Sequence, residues 1–93
     1  MTDVIKRNGK KEPFNEGKIR KSVKSAVKNA GFNPKEKVHV IEHASQDAAR
    51  KAEKVDEIES KQIRDTILND LEHDDQKVAQ AWKNYEDQHG MNY

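Results

Sequence analysis

Apolar residues recur every three to four positions in four separate stretches of this 93-residue chain. That period belongs to the α-helix, so four amphipathic helices take up most of the length. Asn15 stands before the first stretch as an N-cap and Gly31 closes it, which places a helix over about 16–30. Its inward stripe is Ile19, Val23, Ala26, Val27 and Ala30. Asn33-Pro34, a cap followed by proline at the first helical position, opens a second helix over about 34–54. Its stripe is Val38, Ile41, Ala48, Ala52 and Val55, interrupted by Ser45. Ser60 opens a third, about 60–73, on Ile63, Ile67 and Leu71, and His73-Asp74-Asp75 breaks it. A fourth, about 76–88, carries Val78, Ala81, Trp82 and Tyr85, and the tail Gly90-Met91-Asn92-Tyr93 is expected to fray.

Residues ahead of the helices read differently. Val4-Ile5-Lys6-Arg7-Asn8-Gly9-Lys10-Lys11-Glu12-Pro13-Phe14 predicts a β-hairpin over about 3–14, because Asn-Gly suits a type I′ turn. Pro13 cannot donate to a ladder, so the second strand lies at an edge. The expected fold is α+β: an N-terminal hairpin capping a small four-helix bundle, in a single domain over 1–93. Strand alternation puts Lys6 on the same face as Val4, turned toward the bundle.

Composition narrows the function. The chain has no cysteine, which excludes disulfides and thiolate zinc ribbons. No apolar run is long enough to span a membrane, and the start lacks a signal-peptide stretch, so the expected location is the cytoplasm. Net charge is +1, but residues 1–40 balance at +7 and residues 41–93 at −6. An inward lysine needs an anion. Lys6, Arg7 and Lys18 can converge on one phosphate near the first helix's free N–H groups. The competing reading is a solvated basic hairpin with a capping Asn15.

Val4-Ile5-Lys6-Arg7-Asn8-Gly9-Lys10, then Phe14-Asn15 and Lys18-Ile19, resemble the ATP-cone. This is the small regulatory nucleotide-binding domain of many ribonucleotide reductases and of their bacterial transcriptional repressors. Ser60-Lys61-Gln62-Ile63-Arg64-Asp65-Thr66-Ile67 resembles the family's third-helix block, and Val78-Ala79-Gln80-Ala81-Trp82-Lys83-Asn84-Tyr85 its last helix. The resemblance implies nucleotide contacts at Val4, Lys6, Arg7, Glu12, Asn15, Lys18, Ile19, Ser60 and Arg64. Lys6, Arg7, Lys18 and Arg64 would meet phosphates, Glu12 would read base or ribose, and Val4 and Ile19 would wall the site. The implied ligand is a purine nucleoside triphosphate, ATP or dATP, with Mg2+ as its usual companion. The implied role is non-catalytic regulation of ribonucleotide reductase, of a second copy, or of another partner in nucleotide metabolism. Glu86 and Asp87 depart from the family pattern, which has an aromatic residue followed by a basic one. With no reductase core and no zinc ribbon in the sequence, a free-standing cone is expected.

Other motifs are weighed against this. His39-Val40-Ile41-Glu42-His43 fits an inverted zinc-peptidase pattern, but Ile41 belongs to the core stripe and turns the histidines to the flanks. No structural or catalytic metal is expected there. No phosphate-loop motif or activated nucleophile is present. Trp82 and Tyr85 could stack a base but fit core positions better. Lys18, Lys21, Lys24 and Lys28 form a stripe that would suit nucleic-acid phosphates, an alternative ranked below the nucleotide reading. A degenerate cone kept only as an interaction surface is a third reading.

Overall fold

The computed structural model describes residues 2–89, with side chains described through Glu86. The fraying expected at Gly90–Tyr93 and the side chain of Asp87 lie outside the described residues. Strand β1, Asp3–Ile5, pairs antiparallel with β2, Lys11–Pro13. Helices α1 (Glu16–Asn29), α2 (Val38–Glu53), α3 (Ser60–Asp74) and α4 (Gln76–His89) follow, and the fold is α+β with a hairpin at one end of a four-helix bundle.

The turn differs from the expected type I′ form. Asn8 does not take a positive φ; only Gly9 does, at 83°. Gly9 N–H donates to the Lys6 carbonyl at 2.9 Å, and Lys6 N–H donates to the Lys10 carbonyl at 2.8 Å. The loop is therefore the three-residue kind, in which a left-handed glycine follows an ordinary turn. Asn8 acts through its side chain instead: Oδ1 accepts the Lys10 amide at 3.0 Å.

A third strand, β3, Glu57–Glu59, pairs parallel with β1 on the side away from β2. Sequence reasoning did not find it. Its single apolar residue, Ile58, is buried with Val4 in the core. Thr2 reinforces the join by donating its hydroxyl to the Ala52 carbonyl at 2.6 Å and lying 2.9 Å from the Val55 carbonyl.

Gly31, at φ 91°, ends α1 after Ala30, and Ile19, Val23, Ala26 and Val27 are buried as expected. The second helix departs from its expectation. Residues Pro34–Lys37 form a 3-10 turn capped by Asn33, and α2 begins at Val38. Lys37 pins this turn by bonding Asp75 at 2.8 Å, its ammonium 4.3 Å from the Phe32 ring centroid. The 3-10 turn leaves Val38 in the first turn of α2, 54% exposed, while Ile41, Ala48 and Ala52 are buried as expected and Val40 and Ala44 join them. Val55 lies beyond the helix and is exposed. Ser45 sits in the core and resolves its hydroxyl on the Ile41 carbonyl at 2.7 Å.

α3 starts with a reciprocal capping box between Glu59 and Gln62. Trp82, Val78 and Ala79 of α4 close the core, while Tyr85 is half-exposed rather than buried. No helix among the described residues is long and apolar enough to cross a membrane.

The burial of Val40 and the exposure of Val38 are testable by thermal or denaturant unfolding. Val40→Ala should cost roughly 2 kcal/mol through lost burial and a cavity. Val38→Ala should stay within about 0.5 kcal/mol. Equal losses would contradict the observed register.

Candidate functional site

Val4 and Glu12 are directly opposed across the hairpin, so their side chains share a face. Lys6, two residues beyond Val4, projects to that face too. Val4 and Ile19 of α1 are both fully buried in the core cluster, so both residues expected to wall a ligand are core residues here. Lys6 is less buried than its parity suggested: its side chain is 43% exposed. It has an anion from within the chain. Glu12 Oε2 lies 3.2 Å from the Lys6 ammonium, and Glu12 Oε1 lies 3.5 Å from that of Lys18. Desolvation works to raise the Glu12 pKa, but the Lys6 hydrogen bond and the two ammonium charges outweigh it and hold the carboxyl below its ordinary value. Such exposed pairs contribute little stability. Their importance is geometric, because one carboxylate gathers cations from the hairpin and from α1.

Asn15 occupies the N-cap of α1 in extended conformation. Gly17 leaves space for it: a Cβ at Gly17 would stand 3.0 Å from Asn15 Oδ1. The parallel register places Ile5 beside Glu59. The ladder ends there, immediately before Lys6 on one side and Ser60, the buried first residue of α3, on the other. Strand β3 thereby brings the start of α3 to the hairpin. Arg7 is exposed in the turn and has no ion pair among the described residues.

Between α1 and α4 runs a cleft of about 300 Å³. Lys18, Lys21, Ser22 and Ser25 line it from α1, and Trp82 and Tyr85 from α4. Trp82 shows little surface, and its indole N–H faces Ser22 Oγ at 3.4 Å. Lys18 borders both this cleft and the Glu12 carboxylate. Lys21, Ser22, Ser25 and Tyr85 were not singled out together from sequence. The available signal was the serine pair at i and i+3 facing an aromatic pair of the same spacing.

The family model of the ATP cone domain matches residues 2–91. The chain belongs to the ATP-cone family. Neither the curated proteins nor the solved structures give a match. An ATP-cone is a nucleotide-binding regulatory module whose ligand is ATP or dATP.

Arg64 of this ATP-cone stands apart from the hairpin lysines in its bonding. Its guanidinium is held by Glu86 of α4, with Nε at 2.7 Å from Oε2 and Nη2 at 2.6 Å from Oε1. A contact to Asp65 at 3.2 Å completes its set. The acidic residue that departs from the family pattern is thus the partner of a candidate phosphate ligand. The zinc-peptidase pattern does not assemble. Glu42 bonds Arg20 at 2.7 Å, and His43 turns to Asp74 of α3 at 2.5 Å.

The Arg64–Glu86 bond also joins α3 to α4. Glu86 is 12% exposed and accepts two parallel bonds. Glu86→Ala should lower stability by roughly 1–3 kcal/mol in a denaturant titration, since it removes the two-point acceptor of Arg64 and leaves only the Asp65 contact. A loss within the range of a neutral surface change would contradict the two-point bond.

Proposed function

We propose that this ATP-cone senses ATP or dATP at the junction of the hairpin with the starts of α1 and α3. The observation that carries the reading is the meeting of Lys6 and Lys18, from two different elements, on the single carboxylate of Glu12. A phosphate group is a stronger multidentate acceptor than one exposed carboxylate. Entering there, it takes the two ammonium groups, with Arg7 closing from the turn. Glu12 is then released to accept from a ribose hydroxyl or a base amine. Asn15 and the free amides of α1 add donors, as does Ser60 at the start of α3. Arg64 joins by giving up Glu86. Tyr85, at the α1–α4 cleft beside Lys18 and Lys21, offers an aromatic face for the base. Val4 and Ile19 support the site from the core beneath.

The module acts without catalysis. Binding fixes the hairpin over the bundle and changes the surface offered to a partner, a ribonucleotide reductase, a second copy or another regulator of nucleotide metabolism, in the cytoplasm. Regulation requires that the nucleotide bind one arrangement better than the other. Mg2+ would arrive on the triphosphate.

The nucleic-acid alternative needs one continuous basic stripe on α1. Here the lysines divide: Lys18 and Lys21 line the α4 side, while Lys24 and Lys28 line a groove toward α2. Calorimetric titration of ATP, dATP, GTP and a short DNA duplex separates the readings. Lys6→Ala should weaken the triphosphate roughly 10- to 150-fold, the value of a charge-assisted bond of about 1.5–3 kcal/mol. Lys28→Ala should cost less than about 1 kcal/mol, as expected for a screened surface charge. Equal losses in both variants, or tighter binding of the duplex than of any triphosphate, would overturn the assignment. Absence of heat with every nucleotide, in folded protein, would establish a cone that has lost its ligand.

A further inference from the structure

α2 and α3 lie along one another away from the nucleotide junction, and their seam collects ligand-type side chains. His43 and Asp47 stand one turn apart on α2, and Asp70 and Asp74 one turn apart on α3. One ligand atom each from His43, Asp47 and Asp70 lies within 4.8 Å of the others. An ion bonded at about 2.1 Å spaces tetrahedral ligand atoms roughly 3.4 Å apart. Small rotations of the half-exposed His43 and Asp47 side chains close the difference.

Two further observations point to a cation. The first is the imidazole's orientation. His43 Nδ1 lies 2.5 Å from Asp74 Oδ2, and a carboxylate only accepts, so Nδ1 carries the hydrogen. In the neutral imidazole Nε2 then keeps its lone pair, on the side of Asp70, whose Oδ1 is 3.9 Å away. A carboxylate that orients histidine through one ring nitrogen while the other faces the ion is the usual outer support of a metal ligand. His73 steadies the same carboxylate, its Nδ1 3.2 Å from Asp74 Oδ1.

The second observation is Asp70. Its Oδ2 is shut away from solvent with no hydrogen-bond partner among the described residues. Asp47 approaches closely enough to share a proton, but two ionised carboxylates have no donor between them. Among the described residues no lysine or arginine pairs with Asp70; its cationic neighbour is His43, whose Nε2 stands 3.9 Å from Asp70 Oδ1, at the outer limit of an ion pair.

We propose that His43 Nε2, Asp47 and Asp70 form a binding site for a divalent first-row transition ion, with Asp74 as the residue that positions the imidazole. One imidazole with two carboxylates suits Mn2+, Co2+ or Zn2+; Mg2+ and Ca2+ favour oxygen-only sets, and copper(I) favours sulfur. The expectation of no metal counted only the histidines of α2, and it missed Asp47 of the same helix and Asp70 of α3. Three protein ligands leave positions for water. The ion would cross-link α2 to α3.

The test uses the whole chain without an affinity tag or nucleotide, with Zn2+, Mn2+ and Co2+ as probes. Saturable one-to-one binding by calorimetry, a raised melting temperature and a Co2+ visible spectrum are expected. Asp70→Asn removes one of two abutting carboxylate charges, so the metal-free variant should melt no lower than the parent while losing the metal response. Asp74→Asn should weaken binding about 10- to 100-fold. His39→Ala should leave it unchanged. No saturable binding below millimolar ion, binding that survives Asp70→Asn, or binding lost in His39→Ala would each overturn the site. None of these outcomes depends on nucleotide binding.

Discussion

The parallel pairing of Asp3–Ile5 with Glu57–Glu59 holds this fold in its working shape. It joins the N-terminal hairpin to the α2–α3 connection, more than fifty residues away along the chain. A two-stranded hairpin alone is marginal in water. The third strand supplies a further ladder, and Val4 and Ile58 set its apolar face against the bundle. The Asp3 amide extends the join by donating to the Asp56 carbonyl at 2.9 Å. The nucleotide reading depends on this one contact, because it brings Lys6 to the start of α3 while the inner face of the hairpin lies over α1.

Much of the architecture was legible because it is local. Gly31 and Asn33-Pro34 mark helix ends by backbone chemistry, and the stripe Ile19–Val23–Val27 needs only helical periodicity. Strand β3 was not legible, because three residues with one apolar side chain have no readable period and the partner strand is remote. The inward stripe of α2 was legible at Ile41, Ala48 and Ala52, and only its two ends were misjudged: Pro34–Lys37 winds as a 3-10 turn, so Val38 falls in the exposed first turn of α2, and the helix stops short of Val55. Tyr85 follows Trp82 at helical spacing, yet it lies over the open cleft rather than inside the bundle. Side-chain partners across elements were the hardest to foresee. Neither Glu12 between two lysines nor Glu86 on Arg64 follows from sequence spacing.

Those two carboxylates change how the basic half of the chain is understood. The +7 balance of residues 1–40 suggests a surface that attracts any anion. In the fold, Lys6 and Lys18 share Glu12, and Arg64 is occupied by Glu86. A ligand must offer more than charge to displace them. It has to reach several cations together and leave the released carboxylates with donors. On the proposed reading a triphosphate with its ribose and base would meet both demands, and simple anions only the first. Selectivity in such a site arises from exchanging partners, and the same exchange gives binding a structural consequence.

The most direct test of a nucleotide site at the hairpin–helix junction is a residue-by-residue NMR titration of backbone amides with ATP. The account predicts saturable shifts centred on Lys6–Gly9, Asn15–Ile19 and Ser60–Arg64, with a smaller response near Tyr85. Shifts concentrated instead along Lys24, Lys28 and Lys35, or weak shifts spread over all exposed lysines without saturation, would contradict it.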